Sequence, residues 1–89
     1  MLDVDGLTLS RQDQRTGLSP TEFRLLARLL ATPFDVVRRR ELVSAGWPDG
    51  AIVNDNTLDQ YAAKLRRRLR AVGSAQTLTA VRGVGYRLG

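Results

Sequence analysis

"TAVRGVGYRLG" (residues 79–89) ends the sequence, and its glycines admit two incompatible folds. A Gly-X-Gly after a strand can open a phosphate-cradling loop; a helix must then follow, and the fold is a nucleotide-binding α/β unit. It can equally be the tip of a β-hairpin. Spacing decides between them. The glycines fall at 83, 85 and 89, not in a Gly-X-Gly-X-X-Gly series, and the sequence reaches Gly89 with no helix to supply a positive N-terminus. A Walker loop is also absent. The stretch "QTLTAVRGVGYRLG" therefore reads as two strands over 77–88, joined around Arg82–Gly85. Gly83 and Gly85 are expected to supply positive φ at the tip, leaving Arg82 to project. Leu78 and Val81 fall on opposite faces of a regular strand, so a bulge or strong twist is expected.

Immediately upstream, "NDNTLDQYAAKLRRRLRAVG" (54–73) carries a helix over 54–72. Asn54 is its expected N-cap, Asp55 suits the positive end of the helix dipole, and Gly73 suits the C′ position. Leu58, Ala62, Leu65 and Leu69 form one apolar stripe. At about 100° per residue, the opposite face centres on Asn56, Gln60, Ala63, Lys64 and Arg67. Arg66 and Arg70 lie on one flank; Thr57, Tyr61 and Arg68 lie on the other.

Further upstream, "SPTEFRLLARLLATP" predicts a helix over 19–32. Ser19 and Glu22 form a capping box, Pro20 suits the first helical position, and Pro33 stops the helix. Phe23, Leu26, Ala27 and Leu30 follow the rhythm of a buried face, widened by Leu25 and Leu29, while Arg24 and Arg28 are expected in solvent. "VVRRRELVSAGW" reads as a short lead-in and a second helix over 39–45, buried through Leu42 and Val43 and ended by Gly46. Trp47 is expected to anchor the Pro-Asp-Gly loop that follows. In residues 1–18, "LDV" and "LTL" read as short strands around Gly6, and "SRQDQRTG" reads as loop.

Composition narrows the chemistry. The 89 residues suit one small domain, with 43% hydrophobic content. There is no cysteine and no histidine. Disulfides and thiolate metal sites are excluded, and the commonest general base is missing. The nine acids are scattered and none pairs beside a candidate nucleophile, so neither enzyme, cofactor nor metal site is expected. No apolar run reaches the roughly 20 residues of a membrane span, and no signal peptide opens the sequence. A reducing cytoplasm is the expected location, without membrane association. Charge is polarised. Residues 60–89 hold seven Lys/Arg and no Asp/Glu, a net of +7, while residues 1–59 hold seven Lys/Arg and nine Asp/Glu, a net of −2.

A basic end of this kind is the footprint of a polyanion partner, though it is also compatible with an Arg-rich solvated surface. The third helix mixes amides with cations, which suits a DNA major groove: amides pair with adenine, cations with guanine. It lacks the alternating acids of an ordinary solvated helix. An arginine on a projecting turn can enter a narrow minor groove. The same fold could instead dock a protein or bind nucleic acid non-specifically.

The stretches "LSPTEFRLLARLL", "DNTLDQYAAKLRRRL" and "TAVRGVGYRL" resemble the winged-helix C-terminal effector domain of two-component response regulators of the OmpR/PhoB class. The resemblance covers about Leu18 to Leu88. It implies an α+β winged helix-turn-helix fold: a three-helix core, an N-terminal antiparallel sheet and a C-terminal hairpin wing. It also implies sequence-specific binding to double-stranded DNA, as tandem copies on direct repeats. By position it implies base contacts from Asn56, Gln60, Ala63 and Lys64, with Arg82 in the minor groove; Thr57 and Arg67 join them from the helical wheel. Phosphate contacts are implied for Arg39, Trp47, Tyr61, Arg66 and Tyr86. The loop 47–53 corresponds to the segment that touches RNA polymerase in activators of the class, and a receiver or other sensory domain is implied outside these residues. The sequence departs from the family pattern at several positions. Ala63 stands where arginine is frequent, Tyr61 where histidine is common, Ala80 where threonine is common, and Arg38 at the usual Ser/Thr cap of the second helix. The stretch before "SPTEF" is several residues short, so a reduced sheet of three strands or fewer is expected.

Overall fold

A computed structural model describes all 89 residues. The chain opens with three antiparallel strands, β1 (Leu2–Asp3), β2 (Thr8–Arg11) and β3 (Gln14–Gly17), in the order β1-β2-β3. The polar stretch "SRQDQRTG" is therefore not loop throughout. Arg11 pairs with Gln14, and the intervening tight turn places Gln12 at φ 55°. Polarity hid this hairpin because β3 is largely exposed and has no apolar alternation to display.

Helix α1 (Pro20–Ala31) starts from both bonds of a capping box: Ser19 Oγ accepts from the Glu22 N–H at 3.1 Å, and Glu22 Oε1 accepts from the Ser19 N–H at 2.7 Å. Its innermost stripe is Glu22, Leu25, Leu26 and Leu29; Phe23, Ala27 and Leu30 are only half-buried. The buried face is thus rotated from the one the apolar residues suggest, because one of its four positions is a carboxylate. Glu22 is 2% exposed and accepts from Arg68 Nε at 3.3 Å, which compensates its burial. Arg24 and Arg28 are not free in solvent either. Arg24 donates from Nε and Nη2 to the Gly46 carbonyl at 3.1 and 3.0 Å, and Arg28 pairs with Glu41 at 2.7 Å.

The lead-in to the second helix is a strand, β4 (Val36–Arg38), followed by α2 (Arg39–Gly46) and α3 (Asp55–Ala71). Gly46 is the last residue of α2 and packs against α1, where a β-carbon would lie 2.9 Å from Leu25 Cδ2. Asn54 caps α3 by accepting from the Thr57 N–H at 2.8 Å. Strands β5 (Leu78–Val81) and β6 (Gly85–Leu88) complete a second sheet of order β4-β6-β5, so the wing is three-stranded. The β5–β6 register runs unbroken from Leu78↔Leu88 to Val81↔Gly85. Of the two expected alternatives, the bulge is absent: Leu78 lies in the core, and Val81 is half-buried on the other face. Core residues from β2, all three helices and the wing sheet form one cluster, which includes Leu25, Leu29, Leu42, Leu65 and Leu88. No helix is long and apolar enough to cross a membrane.

Candidate nucleic-acid interface

The core stripe of α3 is buried through Leu58, Ala62, Leu65 and Leu69, which turns the opposite face outward. Asn56, Gln60, Lys64 and Arg67 are all exposed there, and none takes part in an ion pair. Lys64 is oriented by its neighbour: its ammonium lies 4.4 Å from the centroid of the Tyr61 ring. Tyr61 in turn meets Trp47 edge to face at 5.2 Å, and both rings are half-buried against the core. Ala63 is half-buried. The Thr57 hydroxyl is engaged locally, donating to Asn54 Oδ1 at 3.1 Å, so it serves the cap of α3.

The wing tip is built by Gly83 at φ 75° and closed by the Val84 N–H donating to the Val81 carbonyl at 2.9 Å. Arg82 is exposed on that turn. Gly85 does different work from the expected positive φ. It faces Arg38 across the β4–β6 pair, and a β-carbon there would stand 1.9 Å from the Val37 carbonyl oxygen. Only glycine permits that approach of two backbones.

Three of the expected phosphate contacts already make bonds within the protein. Tyr86 is 4% exposed, and its hydroxyl donates to Asp59 Oδ1 at 2.5 Å. That removes it from the outer surface, because its ring fills the core between sheet and helix. Arg39 donates from Nε to Asp55 Oδ1 at 3.1 Å and from Nη2 to Asp59 Oδ1 at 2.9 Å. Its charge is compensated within the chain. Arg66 donates from Nε to the Leu78 carbonyl at 2.9 Å, and the Arg39 and Arg66 guanidinium carbons lie 5.8 and 5.9 Å from the Tyr86 ring centroid. Arg38, singled out by sequence only as an unusual cap of the second helix, is an exposed cation outside every ion pair, at the start of α2 beside the wing. The charges tune one another. The Tyr86 hydroxyl and then Arg39 hold the Asp59 carboxyl below its ordinary value. Burial, and then Asp59, push the Tyr86 phenol up. Burial alone would lower Arg39, but the bonds to Asp59 and Asp55 outweigh it and raise it.

Asp59 is the residue that sequence reasoning missed. Arg39 and Tyr86 lie 20 and 27 positions away from it, beyond any periodic pattern. The available signal was a lone acid seven residues before Arg66, hence on the same flank of a basic helix.

The exposed polar face of α3 thus stands beside a projecting wing tipped by Arg82. The family model described as "Transcriptional regulatory protein, C terminal" matches residues 13–88. This chain belongs to that family. Its OmpR/PhoB-type character follows from the relatives. It is 37% identical over 87 residues to the transcriptional regulatory protein YxdJ of Bacillus subtilis and 33% identical over 87 residues to the phosphate regulon transcriptional regulatory protein PhoB of Rhizobium meliloti. In each case 98% of this chain is covered but only 38% of the relative, so the chain spans well under half the length of these regulators. Among solved structures, the AdeR response regulator DNA-binding domain, in complex with an intercistronic region, superposes with TM-score 0.85 at 31% identity, covering 99% of this chain and 90% of that one. The C-terminal domain of the nisin resistance regulator NsrR gives 0.81 at 36% identity, covering 99% and 89%. The OmpR/PhoB-type domain here is therefore an α+β winged helix with a three-stranded N-terminal sheet and a three-stranded wing sheet.

Proposed function

We propose that this domain binds double-stranded DNA sequence-specifically as part of a transcription regulator, with α3 in the major groove and Arg82 in the adjacent minor groove. The observation that carries the reading is the row Asn56, Gln60, Lys64 and Arg67, exposed and unpaired on a helix whose other face is locked in the core. Amides and cations at this spacing pair with base edges. Arg38 and the backbone at the start of α2 supply phosphate contacts, and Trp47 and Tyr61 hold Lys64 in place.

The longer regulators among its relatives support a receiver or other sensory domain joined to this one. Tandem binding to direct repeats and a cytoplasmic location belong to the same reading. The loop 47–53 is the surface for RNA polymerase; its fully exposed Ile52 offers an apolar contact with no partner in this chain.

Selection of duplexes from a random pool tests the function. The expected product is a direct repeat about one helical turn apart. On the selected site, Lys64→Ala and Arg82→Ala should each weaken binding by about 1–3 kcal/mol, read by titration against labelled duplex. Equal competition by random and selected duplexes would instead mark a non-specific binder.

A further inference from the structure

Asp59 is the last acid in the sequence and stands directly before the segment that holds seven cations and no acid. It lies on α3 next to Gln60, with its side chain half-exposed, where a phosphate backbone is expected to approach. By Coulomb's law alone a carboxylate here opposes binding to a polyanion. Its contacts supply a reason for its presence. One oxygen, Oδ1, receives both the Tyr86 hydroxyl of β6 and Arg39 Nη2 of α2. The backbone adds to the same junction: the Arg39 N–H donates to the Val84 carbonyl at the wing tip, at 3.1 Å. Arg66, on the same flank of α3, reaches the Leu78 carbonyl of β5. The two bonded strands of the wing and the start of α2 are thus tied to one flank of α3, and Asp59 is the node where the helix, β6 and α2 meet.

We propose that Asp59 is a positioning residue for DNA recognition, its bonds to Tyr86 and Arg39 fixing the wing against α3 so that both read their grooves in one rigid docking. The proposal rests on the DNA-binding reading above. A helix and a wing that dock as one body share a single ordering cost, whereas a loosened wing must be ordered separately on binding. Arg82 then contributes fully only while the node is intact. Lys64 is held by Tyr61 on the other flank and is independent of it.

The test is a pair of double-mutant cycles in the full chain, titrated against the duplex selected from the random pool. Tyr86→Phe keeps the ring in the core and removes only the hydroxyl. Asp59→Ala alters a half-exposed side chain. Urea unfolding of each variant confirms that it is folded. Both variants are expected to weaken binding about tenfold, Asp59→Ala despite its loss of a negative charge. In both backgrounds the penalty of Arg82→Ala should shrink to less than about twofold, while that of Lys64→Ala stays as in the unaltered protein. An unchanged Arg82→Ala penalty in both backgrounds overturns the proposal, as does tighter binding by Asp59→Ala, the outcome of simple charge removal. If the unaltered protein selects no duplex at all, the DNA-binding reading fails first and the proposal falls with it.

Discussion

Gly83 and Gly85 stand two positions apart in the wing and are held to glycine by different forces. At Gly83 there is open space around a notional β-carbon, but φ is 75°, which disfavours any L side chain. At Gly85 the obstacle is the Val37 carbonyl oxygen at 1.9 Å, backbone against backbone, which no rotamer change relieves. Gly83→Ala should therefore cost about 1–2 kcal/mol in urea unfolding, as strain in a left-handed conformation. Gly85→Ala should cost more than about 3 kcal/mol or prevent folding, because β4 and β6 must separate to admit it. The sequence shows that glycines are needed here. It does not show that one answers to torsion and the other to a carbonyl brought in by β4 from far upstream. The same limit applies to Arg39 and Tyr86: the family resemblance implies phosphate contacts for both, but their partner Asp59 becomes visible only in three dimensions.

At the scale of elements, α1 and α3 were legible because caps and apolar periodicity agree. The Ser19 box, the Asn54 cap and the leucine stripe of α3 are all local features. Legibility failed where a buried position is polar or a strand is exposed. Glu22 belongs to the buried stripe of α1, but a carboxylate carries no apolar signal, so apolar periodicity alone misplaces the buried face. β3 and β4 lack alternation and exist because β2 and β6 offer them partners. Glu22 also predicts a pH effect. Burial alone would raise its pKa, but the Ser19 N–H, Arg68 and the Ser19 hydroxyl outweigh burial and lower it. A carboxylate whose folded pKa is depressed contributes stability that is present above its unfolded value, about 4.3, and is lost as pH falls through the folded value. The unfolding midpoint in urea should drop as pH is lowered from 5 toward 3. Glu22→Gln should be less stable at pH 7 by about 1–3 kcal/mol, since it leaves Arg68 short of an anionic partner, and its midpoint should depend less on pH over that window.

For the molecule as a whole, charge is informative only after its uses have been separated. The sequence shows +5, concentrated beyond residue 60, and this was enough to suggest a polyanion. The structure divides the cations of the whole chain by what they already hold. Arg67 is exposed on the outer face of α3 with no ion pair, whereas Arg24 has its guanidinium on the final carbonyl of α2. Replacing either with alanine removes one formal charge. If affinity depended on net charge alone, the two variants would behave alike. If it depends on counterions released where cations meet phosphates, they should differ. Binding of the selected duplex, measured across a series of salt concentrations, should lose about one unit from the slope of log K against log salt in Arg67→Ala. Arg24→Ala should keep the slope of the unaltered protein and show its effect as a lower unfolding midpoint, because the end of α2 loses the donor that satisfies its Gly46 carbonyl. Equal slopes for the two variants would mean that the domain engages DNA through its overall field, and the outer face of α3 would then lose its special standing.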